Sequence, residues 1–280
     1  MLSRLTGALL RAFLVMVLIA TPALVLPAAS ADARQIASLI GLFLGALIFV
    51  EYASVYPGLI EFRHAPPFNR IRFLSLFLTV FLLAVIVRGQ TEPSQLTLGV
   101  ERVGAAVGMA IDFPYSPVRL ATLTLAPDVS QSDIALIRSA AGLAYLVSLL
   151  GLSLFVVILK VGGWPGRRGA FNVWVNLPTF DPTAGGDVVD RLERDARINI
   201  ALGFLLPFLM PAVVKAISGG IGPITQDSPQ LLIWAVATWA FLPASLFMRG
   251  IAMGRIADMI REKRRMAEAQ PGSPAAHATA

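Results

Sequence analysis

Cysteine is absent from this 280-residue chain. That excludes disulfides, thiol nucleophiles, iron–sulfur clusters and cysteine-bound zinc, and it leaves the redox compartment open. Histidine is nearly absent as well: only His64 and His277 occur. His277 lies in a low-complexity tail, so neither a bis-His haem nor a three-His metal site fits within one chain. The sequence has no Walker A motif, no Rossmann glycine pattern, no H-E-x-x-H and no G-x-S-x-G, which removes the common nucleotide, zinc-protease and serine-hydrolase readings. Charge is also scarce. Only 14% of the residues are charged, against about 25% in a soluble domain.

What is abundant is apolar sequence. Hydrophobic residues make up 56% of the chain, with a mean hydropathy of +0.72. A water-soluble globule of this composition would leave much of that surface wet, so lipid is the expected solvent. About 20 residues are needed to cross roughly 30 Å of hydrocarbon as a helix. Six runs qualify, some with their flanks: approximately 10–28, 36–56, 71–88, 137–160, 198–218 and 230–249. The fold expected is all-α, a polytopic membrane protein with a single six-helix bundle over 1–249. No internal repeat is visible.

The net charge is +6. In a soluble protein that would suggest nucleic acid. Here the basic residues sit between apolar runs, so anionic lipid headgroups are the expected counter-charge, and nucleic acid is not expected. Alternating the spans from an internal N-terminus places all but six of the 23 Lys and Arg residues on one side; the six are Arg34, Arg88, Arg102, Arg119, Arg138 and Lys215. That asymmetry follows the positive-inside rule. It predicts a bacterial inner membrane with both termini cytoplasmic. A second reading of the start stays open: a basic opening, an apolar core and Ala29-Ser30-Ala31 also match a cleavable signal peptide.

The connections carry their own patterns. In the external segment 89–136, Leu96, Val100, Val103, Val107 and Ile111 recur at helical spacing. They predict an amphipathic helix on the outer surface, with Gly104 and Gly108 allowing close packing. Asp128, or Ser130 with Asp133, is positioned to cap the next span. In the cytoplasmic segment 161–197, "FNVWVNL" (171–177) alternates like a strand, and Trp174 suits the headgroup level. From Asp187 the pairs Asp187/Arg191, Asp190/Arg194 and Glu193/Arg197 have the stabilising acid-before-base order at i,i+4, predicting a helical stalk that runs into the fifth span. The basic amphipathic helix 250–269 carries Arg255, Arg261, Lys263, Arg264 and Arg265 beside Ile256, Met259, Ile260 and Met266. It is expected to meet a lipid surface or an acidic partner. Residues 270–280 read as a disordered tail.

Within the spans few residues carry chemistry. Pro207 and Pro211 each remove a helical hydrogen bond, to the carbonyls of Gly203 and Pro207, and Lys215 lies on the same side of the helix. Together they predict a kink, with Lys215 either lining a polar path or snorkelling. Glu51 reads either as an intramembrane acid, if the second helix continues to Tyr56, or as a headgroup-level one; its expected partners are Arg11 or Arg72. Gly41 and Gly45 form G-x-x-x-G, a packing motif within the chain or between chains. Glu61-x-x-His64 has the spacing of two metal ligands on a helix, but no second copy exists. The expectation is therefore no metal, no cofactor and no enzyme. The leading reading is a non-enzymatic accessory, assembly or scaffold subunit that associates with other membrane proteins or with itself. The alternative is a small-solute or ion transporter or channel using Glu51 and the Pro207/Pro211 helix.

Overall fold

The computed structural model describes residues 2–27, 29–56, 58–125, 129–165, 172–181, 183, 185–217 and 229–269. Asp128, Arg167, Arg168, Phe171 and the 270–280 tail lie outside the described residues. Those described form helices and no strand: α1 (Leu2–Val25), α2 (Ala31–Ala53), α3 (Phe68–Gly89), α4 (Gln95–Ala110), α5 (Pro117–Thr122), α6 (Gln131–Gly162), α7 (Val173–Asn176), α8 (Val188–Ile217) and α9 (Pro229–Glu268). Six of them, α1, α2, α3, α6, α8 and α9, are long and apolar enough to cross a membrane.

Helix ends follow local chemistry. The hydroxyls of Ser30, Ser94, Ser116 and Ser130 accept the N–H of the residue three positions on and cap α2, α4, α5 and α6. α6 stops at Gly163, which takes the left-handed conformation (φ 58°) open to glycine.

The helices enclose two apolar clusters. One joins α1, α3, α6 and α9, with Leu83, Ile86, Ile137, Ala140 and Ile233 at its centre. The other lies at the opposite end of the bundle and draws in the connections: Phe62, Leu177 and Phe180 pack with Phe68, Phe155, Leu159, Leu192, Met253 and Ile256. This second cluster is at the end where α1, α3 and α8 begin, hereafter the basic end.

α4 turns only part of its apolar stripe inward: Val100 and Ile111 pack against the first cluster. Thr97, Gly104 and Gly108 are its buried residues, while Leu96 and Val103 face out. A Cβ at Gly108 would stand 2.5 Å from the Arg138 carbonyl oxygen, and one at Gly142 would stand 2.5 Å from the Gly108 backbone. α4 thus rests on α6 backbone to backbone. Gly41 and Gly45 face α1, where a Cβ at Gly45 would meet the Met16 side chain, its Cγ at 2.7 Å.

Within the stretch 171–177, expected as a strand, Val173–Asn176 instead form the short helix α7. Asn172 Oδ1 accepts the Val175 N–H at 3.3 Å. A lone strand would leave its N–H groups without a ladder partner, whereas an asparagine cap closes a helical turn locally. The side chain of Trp174 lies outside the described part.

The expected stalk is helical, but it is not free. α8 and α9 pack as an antiparallel pair beyond the apolar spans, burying Val189, Leu192 and Ala196 of α8 with Met253, Ile256 and Ala257 of α9. Glu193 pairs with Arg261, and Asp187 accepts from Arg264 at 2.6 Å. Asp187 and Glu193, two of the three acids, therefore bond across to α9, and Ile256 is spent on α8 rather than on lipid. Hydrogen bonds from Arg264 and from the Val189 N–H hold the Asp187 carboxyl below its ordinary value. Lys263 and Arg265 are exposed near the tip, and Arg255 is half-buried.

Candidate functional site

The connection between α2 and α3 organises the basic end. Phe62 is fully buried in the second cluster and held at φ 54°, a left-handed conformation unfavourable for a bulky side chain. Its N–H donates to the Asn176 carbonyl, and the His64 N–H donates to Asn176 Oδ1 at 3.1 Å. α7 thus clamps this loop, and the loop fixes Glu61 and Arg63 on either side of Phe62.

Glu61 receives a fork of two bonds from Arg249, 2.6 Å from Nε and 2.8 Å from Nη2. It also accepts from the Thr179 hydroxyl at 2.6 Å. Burial alone would raise this carboxyl, but the bonds from Arg249 and Thr179 and the charge of Arg249 carry it below the ordinary value. His64 stands apart. Its Nε2 accepts from Arg63 Nε at 3.1 Å, and burial together with the charges of Arg63, Arg4 and Arg11 lowers its pKa. Glu61 and His64 thus turn to separate partners, and among the described residues no cluster of three metal-ligating side chains occurs.

Glu51 does not pair with Arg11 or Arg72. Its carboxylate accepts the N–H groups of Gly58, Leu59 and Ile60 at 3.1–3.3 Å. Arg63 returns the favour to the end of α2, donating to the carbonyls of Glu51, Ser54 and Val55. Helix-end carbonyls and loop N–H groups are both satisfied this way. Arg11 lies over the Tyr52 ring at 4.6 Å instead.

Lys215 is at the far end of the bundle, where its Nζ donates to the Leu123 carbonyl at the C-terminus of α5 at 3.0 Å. Glu51 and Lys215 thus sit at opposite ends. Neither lines the apolar cavity of about 390 Å³ between α5, α6, α8 and α9, nor the cavity at the basic end. α8 runs as one helix through Pro207 and Pro211, both buried toward α9. The carbonyl of Pro207, which Pro211 leaves without its helical donor, accepts from Trp239 Nε1 at 3.0 Å.

The arrangement that sequence reasoning missed is a cavity of about 560 Å³ at the basic end. α1, α2, α3, α9 and the 59–66 loop enclose it. Arg11, Arg63, Arg70, Arg72 and Arg249 line it, with Glu61 as the one carboxylate. Arg72 Nε is shut off from solvent and has no hydrogen-bond acceptor among the described residues; its guanidinium lies 5.0 Å from the Phe68 ring and 5.8 Å from the Phe241 ring. In the sequence these arginines are scattered from Arg11 to Arg249, and each reads only as a flank of a span.

A helical bundle with six apolar spans fits a multi-pass membrane protein. No family model matches the chain, and no curated protein or solved structure matches it.

Proposed function

We propose that this chain is a non-enzymatic protein of a bacterial inner membrane, with both termini cytoplasmic, that serves as an accessory, assembly or scaffold subunit of a larger membrane complex. The observation that carries this reading is the α8–α9 hairpin. α9 has 40 residues and so measures about 60 Å at ~1.5 Å per residue, roughly twice the hydrocarbon thickness. Its extra length is not loose chain. It is zipped to α8 by a buried apolar seam and by ion pairs to Glu193 and Asp187, and it ends in exposed Lys263 and Arg265. A rigid basic projection at the membrane surface serves docking on an acidic partner or on anionic headgroups.

The test is purification of the full chain in a mild detergent, followed by native mass spectrometry and reconstitution. A second membrane protein held at fixed stoichiometry, and lost when Lys263 and Arg265 are both changed to Glu, supports the reading. A lone monodisperse chain that carries ions or small solutes across liposomes overturns it in favour of a transporter or channel.

A further inference from the structure

We propose that the arginine-lined cavity at the basic end binds the phosphate headgroup of an anionic glycerophospholipid, with the lipid's chains lying in the apolar cleft below.

The first argument is layering. Four helices cross the cavity, and each changes character at the same level. On α1, Arg11 is followed toward the membrane interior by Leu14 and Val15. On α2, Ile48 lies one turn inward of Tyr52; on α3, Phe73 and Leu76 lie inward of Arg72; on α9, Leu242 and Leu246 lie inward of Arg249. A polar roof over an apolar shaft is the shape of an amphiphile. A water-soluble anion would use the roof and leave the shaft empty.

The second argument is unspent charge. Arg249 is committed to Glu61, and Arg63 is committed to the carbonyls that end α2. Arg72 is not committed. Its Nε is shut off from solvent and bonds nothing among the described residues, two ring faces lie beside it, and the carboxylate whose charge it feels, Glu61, is already held by Arg249 and Thr179. Ring faces attract a cation but offer no acceptor for its planar fork of N–H groups. An enclosed N–H of a charged group without an acceptor is costly. A phosphate oxygen supplies that acceptor in the bidentate geometry guanidinium favours. Arg11 and Arg70 border the same space and add positive field. The volume, about 560 Å³, falls within the range of ligand sites.

The experiment uses the full chain in a neutral detergent. Native mass spectrometry follows retention of added phosphatidylglycerol and phosphatidylcholine, and thermal unfolding follows protection by phosphatidylglycerol or by inorganic phosphate. The expected result is a one-to-one phosphatidylglycerol adduct, retained about tenfold more tightly than phosphatidylcholine, where tenfold is about 1.4 kcal/mol. Arg72→Gln should weaken that adduct about tenfold, and Arg72→Lys, which keeps the charge but not the fork, should fall between. Leu14→Trp, at the rim of the cleft, keeps the test sharp if the Arg72 variants do not fold: it should weaken the lipid adduct by narrowing the shaft. Equal retention of the two lipids overturns the proposal, as does wild-type retention in Arg72→Gln or in Leu14→Trp. Inorganic phosphate that protects as well as the lipid also overturns it, since the site would then serve a free oxyanion.

Discussion

Glu61 ties together three segments far apart in the chain. Its carboxylate holds Arg249 and Thr179, and its carbonyl accepts from Asn69 Nδ2 at 2.7 Å. The Glu61 and Arg249 side chains are only 12% and 26% exposed, so solvent screens the pair weakly. Replacing Glu61 by Gln should cost about 1.5–3 kcal/mol, the worth of hydrogen bonds to a charged group, read as a fall in the thermal midpoint in detergent. The pH dependence follows from the lowered carboxyl. Its stabilising contribution is complete above the ordinary value of 4.5 and is lost as pH falls through the lower folded value. The wild type should therefore lose stability more steeply than Glu61→Gln as the solution is acidified below about pH 4.5, and parallel curves would exclude Glu61 as the source. None of this is legible in "EFRH". The spacing suggests a metal pair, and the partner that claims Glu61 is Arg249, which the sequence marks only as the end of a span.

At the scale of elements, helix breakers and glycines are answered by neighbouring helices. Pro211 strips the Pro207 carbonyl of its donor, and Trp239 of α9 replaces it. Trp239→Phe should cost about 1–3 kcal/mol through the unsatisfied buried carbonyl. In a Pro211→Ala background the helical N–H returns, and the same change should cost less; additive effects in the double-mutant cycle would break the link. Two glycines of α4 make opposite predictions. Nothing lies within 4 Å of a Cβ at Gly99, so Gly99→Ala should stabilise by roughly 0.5–1 kcal/mol through helix propensity. Gly108→Ala would press on the Arg138 backbone and should destabilise by about 1–3 kcal/mol. Both are read as opposite shifts of the unfolding midpoint. The six spans are legible because length and hydropathy are local properties. The facing of α4, the turn at α7 and the crosswise ion pairs of α8 are not, because each depends on which neighbour lies closest in space. Asp187 and Glu193 have arginines four residues on, yet Arg264 and Arg261 reach them from another helix.

For the whole molecule, orientation is the property that the arginine asymmetry predicts. The lack of native cysteine makes it directly measurable. In intact cells, Glu92→Cys, in the segment between α3 and α4, should react with an impermeant maleimide. Glu268→Cys, at the end of α9, should react only after the membrane is opened. The reverse pattern would invert the protein. The packing also divides the bundle unevenly. α2 touches little besides α1, and most of its surface is left to lipid. The α1–α2 hairpin is therefore joined to the remaining helices along α1 and, at the basic end, by the reciprocal bonds of Glu51 and Arg63. Arg11 and Tyr52 travel with that hairpin, whereas Arg72 and Arg249 belong to the rest. The two walls of the arginine-lined cavity thus stand on separate foundations, tied at the basic end by the bonds of Glu51 and Arg63 and along their length by α1 against α3.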